Sequence, residues 1–215
     1  MNIYGSPLSP FVARVMMTCD YKKLSYDLIM PEGGLKTAEY LSLNPFGKMP
    51  AIKDGRHVLY ESGVIIDYLE DKYPQKRIIP KSATAAGKSR LIATICDLYV
   101  QPPTLILFRQ IIGRSSKDRA EAKSALQDLN KGLDVLDQYI NPGPCASGKR
   151  FTIADCYALP SLLFASSVTP RFGLKNPYKD YLNVKKFWAT IKKHPSAISQ
   201  YKIMKKIMEA RLQTL

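Results

Sequence analysis

Histidine is nearly missing from this chain, with only His57 and His194 among 215 residues. The four cysteines, Cys19, Cys96, Cys145 and Cys156, stand far apart and form no CxxC pair. Metal sites built on short His/Cys spacings are therefore not expected, and neither is a disulfide framework. Buried, reduced thiols are the expected state of all four cysteines. No apolar stretch nears membrane-spanning length, because the strongest candidates, TLILF and LPSLLFASSV, are short or broken. The opening MNIYGSPLSP lacks the basic region and apolar run of a secretory signal. Together these absences predict a soluble cytoplasmic protein with no metal and no membrane partner.

Acidic residues are also scarce, 18 against 32 Lys and Arg, which gives a formal net charge of +14. The deficit is uneven. Residues 1–80 carry 10 basic and 9 acidic residues, whereas residues 81–215 carry 22 and 9, a balance of +13. Such a field attracts anions, whether nucleic acid, an anionic membrane or small acidic ligands. The late lysines (Lys185, Lys186, Lys192, Lys193, Lys202, Lys205 and Lys206) are spread at helical spacing among apolar residues. A solvated helix surface explains them. No groove-reading helix or basic-aromatic motif accompanies the charge, so no nucleic-acid partner is expected.

What is present falls into two halves. Up to about residue 76 the signals alternate quickly. MNIY starts a strand, and Pro10 to Lys22 carries Val12, Val15, Met16 and Cys19 at the spacing of an amphipathic helix. SYDLIM follows as a strand, TAEYLSL as a short helix, and AIKDGRHVLY as a hairpin turning at Asp54-Gly55. Ser62 then opens a helix with Val64, Ile65, Tyr68 and Leu69 on one face. The order β-α-β-α-β-β-α predicts an α/β layer with a mixed four-stranded sheet over residues 1–76. RIIPKSATAAGK suits a linker over residues 77–86. Residues 87–215 show helical periods and no convincing strand. The clearest stripe is Leu126, Leu129, Leu133, Leu136 and Ile140.

Three clusters could carry chemistry. Ser9-Pro10 at the mouth of a helix is a strong cap signal, since the hydroxyl accepts an orphan N–H and proline needs none at the first position. The same helix end favours a nearby negative charge. NPFGKMPAI, Asn44 to Ile52, places Met49-Pro50 just before a strand. In YESGVII, Glu61 and Ser62 sit where a strand ends and a helix begins, so Ser62 is either a plain cap or part of a carboxylate cradle. Thr152-x-x-Asp155 before an apolar run has the form of a capping box and reads as a structural element.

In this order and spacing, SPLSPFVARV, EYLSLNPFGKMPAI, YESGVIIDYLEDKYP and FTIADCYALPSL resemble the cytosolic glutathione transferase family of the serine type, over the whole chain. The resemblance implies a thioredoxin-like, glutathione-binding first domain and an all-α second domain carrying most of the electrophile pocket. Where a thioredoxin-like fold places its reactive cysteine, this chain has Ser9-Pro10-Phe11-Val12. Ser9 then corresponds to the activating serine. Pro50 corresponds to a cis-proline that presents the Met49 backbone to glutathione. Glu61 and Ser62 correspond to the γ-glutamyl contacts, and Lys36 and Lys48 to contacts with the glycyl carboxylate and backbone. Tyr4 lies near the activating tyrosine of other classes and stays open as the alternative hydroxyl.

Glutathione would enter as a co-substrate, with no further cofactor. The implied reaction is attack of its thiolate on a small hydrophobic electrophile held by residues such as Leu8, Leu105, Phe108 and Ile112, as in detoxification. Family relatives pair as homodimers, and Phe46 is the apolar residue expected either to project toward a partner or to pack internally. Three competing readings remain at this level: a non-catalytic glutathione-binding carrier of the same fold, a glutathione-dependent isomerase, or a peroxidase.

Overall fold

The computed structural model describes residues 1–214, and they form two compact units divided between Ile78 and Ile79. In the first, β1 (Asn2–Tyr4), α1 (Pro10–Lys22), β2 (Asp27–Ile29), α2 (Ala38–Leu43), β3 (Ala51–Asp54), β4 (His57–Tyr60) and α3 (Ser62–Lys72) follow the expected order. The sheet runs β2-β1-β3-β4, with β1 and β2 parallel and the other pairs antiparallel. The mixed four-stranded sheet is the one the element order predicts, in the thioredoxin-like arrangement that the resemblance implies.

Local chemistry explains the elements. Ser9, in extended conformation, caps α1 by accepting from the Val12 amide, and Pro10 takes the first helical position. Every α1 residue from Val12 to Cys19 is buried. Helices α1 and α3 pack together, and Ile3, Ile52, Ile65, Ile66 and Leu69 fill the core with them. The apolar face of α3 differs from the expected one. Val64 is 52% exposed and Ile66 is buried, because the inward stripe runs Ile65, Ile66, Leu69, one residue round the helix. Tyr68 instead reaches Asp54 through its hydroxyl, 2.9 Å.

A buried ion cluster closes this unit. Lys22, at the end of α1, places Nζ 2.6 Å from the Glu70 carboxylate and 2.8 Å from the Tyr73 carbonyl. Glu70 also meets Arg77 at 3.3 Å and accepts from the Ile78 amide at 3.2 Å. With both charges withdrawn from water, this geometry is what makes their burial tolerable.

The second unit is all helical: α4 (Ala83–Ile95), a π turn (Cys96–Val100), α5 (Gln101–Ile111), α6 (Arg119–Tyr139), α7 (Ile153–Val168), a 3₁₀ turn (Thr169–Phe172), α8 (Leu182–Ile191) and α9 (Ile198–Gln213). Helix α4 begins at Ala83, inside the stretch read as a linker, because its alanines are good helix formers behind Ser82 in an extended cap conformation. The stripe on α6 points inward as read, with Leu129, Leu133, Leu136 and Ile140 buried. Helix α7 is buried at every position from Ile153 to Ala165 and forms the centre of the unit, touched by α4, α5, α8 and α9. The capping box at its start forms: Asp155 accepts from the Thr152 amide at 2.8 Å and from the Ala146 amide at 2.7 Å. Burial pushes the Asp155 carboxyl up to about 7, against these hydrogen bonds.

One expectation needs correction. Ala83–Ile111 runs as 29 continuous helical residues, apolar and long enough by composition to cross a membrane, so spanning length is reached. Pro102-Pro103 fall inside this run, where proline ordinarily breaks a helix. The π turn before them accommodates the prolines: the Gln101 amide donates to Cys96 O, and the prolines take positions at the start of α5 where missing donors cost little. Half of the apolar window is buried.

Candidate active site

Sheet register gathers the three clusters. Tyr4 pairs with Ile29 on one side and Ala51 on the other, and Ala51 pairs with Tyr60. The exit of β1, the entry of β3 and the exit of β4 therefore share one edge of the sheet. Gly5–Ser9, Met49-Pro50 and Glu61-Ser62 follow from these three ends. Strand pairing brings these segments to one end of the sheet although Ser9 and Met49 are 40 residues apart and Gly5 and Ser62 are 57 apart.

At the first of these ends, Ser9 Oγ is 3.4 Å from the Val12 amide and half-buried. The cap uses the oxygen as acceptor and leaves the O–H proton to donate elsewhere. Gly5 permits the close approach of the neighbouring chain. A Cβ there would lie 2.6 Å from Val12 and 3.0 Å from Met49, and its φ of +148° is one that other residues rarely adopt. The Ser6 amide is 3.2 Å from Met49 Sδ. Tyr4 sits within β1, half-buried.

Met49-Pro50 is a cis peptide bond, as the resemblance implied. The loop before it is fixed by Asn44, whose Oδ1 accepts from the Phe46 amide at 3.0 Å and whose Nδ2 donates to the Lys48 carbonyl at 2.7 Å. Tyr40 donates its hydroxyl to the same carbonyl at 2.7 Å. These two positioning residues escaped the sequence reading, although the Asn of NPFG is an Asx-turn signal that could have flagged one of them. Lys36 Nζ donates to Phe46 O at 3.3 Å, and Lys48 is exposed. Phe46 projects, 60% exposed, with its ring edge-on to Tyr60 at 5.9 Å.

Glu61, not Ser62, occupies the cap of α3, so the plain-cap reading of Ser62 does not hold. Glu61 has φ 66° and ψ 115°, a conformation that costs a non-glycine residue about 1–3 kcal/mol. No side chain caps α3. Its first-turn amides are thus left to an outside acceptor, with Ser62 as the first helical residue, 6% exposed, beside them. Strain spent on an uncapped helix start suits an anion site better than a scaffold role.

Among the residues expected at the electrophile, Leu8 belongs to the first unit and Leu105, Phe108 and Ile112 to the second. Leu8 lies in the loop after β1, and its amide is 3.3 Å from Ser6 Oγ. Leu105 and Phe108 are on α5, with Ile112 immediately after it, all half-buried. Phe108 packs on a cluster of Leu107, Ala122, Ala125 and Val168 and meets the Phe164 ring edge at 5.2 Å, so part of its surface serves the core. All four cysteines are buried and none is in a disulfide. Among the described residues no group of three His, Cys, Asp or Glu could hold a metal.

Comparisons with known proteins agree with this geometry. Glutathione S-transferase 3 of Zea mays is 30% identical over 207 residues, covering 91% of this chain and 90% of the relative. The maleylacetoacetate isomerase of Pseudomonas aeruginosa is 28% identical over 167 residues, 76% of each chain. The crystal structure of poplar glutathione transferase F1 superposes with a TM-score of 0.81 at 28% identity, covering 95% of this chain and 98% of that one. The family model for the glutathione S-transferase N-terminal domain matches residues 3–77, and that for the C-terminal domain matches residues 95–195. The chain belongs to the glutathione S-transferase family, with both of its domains present.

Proposed function

We propose that this enzyme conjugates glutathione to small apolar electrophiles, with Ser9 as the hydroxyl that activates the thiol. The observation that carries the reading is the orientation of the Ser9 cap, which consumes a lone pair and spares the proton. A free thiol with pKa near 8.5 is only a few per cent ionised at neutral pH. A hydroxyl donating to sulfur at a helix N-terminus favours the thiolate. The thiolate then forms a C–S bond at an electrophilic carbon, displacing halide or adding to a polarised double bond. Conjugation of a chloronitroaromatic tests the reading directly, and glutathione binding without turnover would favour a carrier instead.

In the remainder of the proposed site, the cis Met49-Pro50 bond presents the Met49 backbone to the cysteinyl part of the tripeptide. Glu61, Ser62 and the uncapped α3 amides take the γ-glutamyl end, and Lys36 and Lys48 the glycyl carboxylate. Leu8, Leu105, Phe108 and Ile112 supply apolar contacts to the electrophile. The isomerase among the relatives supports a second reading, glutathione-dependent isomerisation, and a panel pairing haloaromatics with cis-dienones separates the two. The four buried cysteines, none in a disulfide, support a reducing, cytoplasmic setting.

Ser62→Ala should weaken glutathione binding more than it slows chemistry, because its partner lies far from sulfur and is held equally in ground and transition states. Loss of one hydrogen bond to a charged group is worth about 1.5–3 kcal/mol, so the glutathione KM should rise roughly 10- to 100-fold with kcat little changed. An unchanged KM contradicts the role.

A homodimer is also proposed. The exposed Phe46 supports it, as do Leu91, Leu98, Tyr99, Val135 and Tyr139, apolar side chains standing out from the π turn, α4 and α6. Light scattering at micromolar concentration should report the mass of two chains. A single-chain mass would refute it.

A further inference from the structure

Helices α8 and α9 concentrate the charge of the helical unit. From Leu182 to Gln213 the chain carries eight Lys and Arg and a single acid, Glu209, which lies 3.6 Å from Lys205. Asp180, just before α8, is engaged by Lys179 at 3.7 Å. Seven of the eight cations are lysines. On α8, Val184, Phe187 and Ile191 turn inward. That puts Leu182, Lys185, Lys186, Ala189 and Lys193 together on the outward face, at helical spacing. Leu182 stands 58% exposed among them.

Read from sequence alone, these lysines are a solvated helix surface. Packing adds an aromatic part. Trp188, the only tryptophan, is half-buried on the flank of α8, edge-on to Tyr201 of α9 at 5.9 Å and to Tyr178 at 6.0 Å. The Lys192 ammonium lies 5.0 Å from the centre of the indole ring. Burial first, and then the charges of Lys205 and Lys193, hold that ammonium below its usual pKa. Cations of both helices therefore repel one another around the indole, and an anionic surface laid over them relieves that repulsion.

We propose that this face of α8 and α9 docks peripherally on anionic phospholipid membranes. Three observations select a lipid surface over a nucleic acid. Lysine is a hydrated point charge that suits a diffuse anionic surface, whereas phosphate forks and base edges favour arginine. Lys192 already covers the half-buried indole, so a base could stack there only by displacing it. Leu182, with the polar-tipped rings of Trp188 and Tyr201, fits the boundary between head groups and acyl chains. Peripheral docking needs neither a spanning segment nor a secretory signal, so the absence of a signal does not argue against it. The face contains none of the residues assigned to glutathione, the electrophile or the dimer, and stands apart from those readings.

The test mixes the whole protein with sedimentable vesicles of phosphatidylcholine, alone or with about one-third phosphatidylserine. Binding is compared for the parent, for Lys185→Gln/Lys186→Gln/Lys193→Gln, and for Arg114→Gln/Lys117→Gln/Lys123→Gln, a control of equal charge change elsewhere in the helical unit. All six side chains are exposed, so both variants should keep the parent's melting profile. The parent should bind only the anionic vesicles and be released as salt rises from about 0.1 M to about 0.5 M. We expect the face variant to lose roughly 10- to 100-fold in vesicle affinity and the control less than about threefold. Because Trp188 is the only tryptophan, the parent's emission should move to shorter wavelength on binding. A second, independent variant, Leu182→Gln, should weaken vesicle binding about three- to tenfold at unchanged charge. Equal losses in the face variant and the control would overturn the proposal, as would an unmoved Trp188 emission on vesicles. A single-stranded oligonucleotide that strips the protein from vesicles at equal phosphate concentration would overturn it too, in favour of a nucleic-acid surface.

Discussion

Ser9→Ala is expected to lower turnover at neutral pH by roughly 10- to 100-fold, the equivalent of one charge-assisted hydrogen bond of about 1.5–3 kcal/mol. The loss should appear in kcat as well as kcat/KM, because the bond strengthens as charge concentrates on sulfur. The same substitution removes the α1 cap and should cost about 1 kcal/mol of stability. Two further variants separate the effects. Ser9→Gly and Ser9→Asn keep much of the capping preference while deleting or displacing the hydroxyl. If Ser9 is only a cap, both should be nearly as active as the parent. With a catalytic hydroxyl, both should fold normally and turn over slowly.

Glu70→Ala should be the most destabilising of the changes considered, by about 3–5 kcal/mol, because it leaves Lys22 buried and charged without its partner. For a chain of this size that corresponds to a fall in Tm of roughly 6–20 °C. The carbonyls of Tyr73 and Gln75, 2.8 Å and 3.5 Å from Lys22 Nζ, soften the loss without cancelling the charge. The Ile78 amide and the Arg77 guanidinium lose an acceptor as well. Replacing both partners, Lys22→Met/Glu70→Met, should recover part of the stability, since the cost lies in the orphaned ion rather than in the pair. Denaturant titration checks this. A loss below about 1 kcal/mol for Glu70→Ala would mean that water reaches Lys22 after all.

The fold was largely readable because local signals and burial agree. Ser9-Pro10 starts α1, the Val12-to-Cys19 stripe sustains it, and Asp54-Gly55 turns the hairpin. What escaped depends on distance along the chain or on backbone states that residue type does not announce. Nothing local links Lys22 to Glu70. Glu61 takes a left-handed φ that would ordinarily mark glycine, so the shift of the α3 cap from Ser62 to Glu61 could not be read. The π turn carries a helix through Pro102-Pro103, which any local rule reads as a stop. The candidate site was legible as three separate pieces through a family resemblance. Their common edge comes from the register Ile29–Tyr4–Ala51–Tyr60, which the strands fix only when paired.

The central claim is that Ser9, not Tyr4, holds the sulfur as thiolate. Ultraviolet absorbance of enzyme-bound glutathione, followed against pH, reads the thiolate fraction itself and is independent of the electrophile. The parent should show bound thiol ionising well below the free value near 8.5. Ser9→Ala should move that transition up by about one to two units, the counterpart of 1.5–3 kcal/mol, while Tyr4→Phe titrates like the parent. If Ser9→Ala titrates like the parent and Tyr4→Phe shifts upward, the serine assignment is wrong and the tyrosine takes its place.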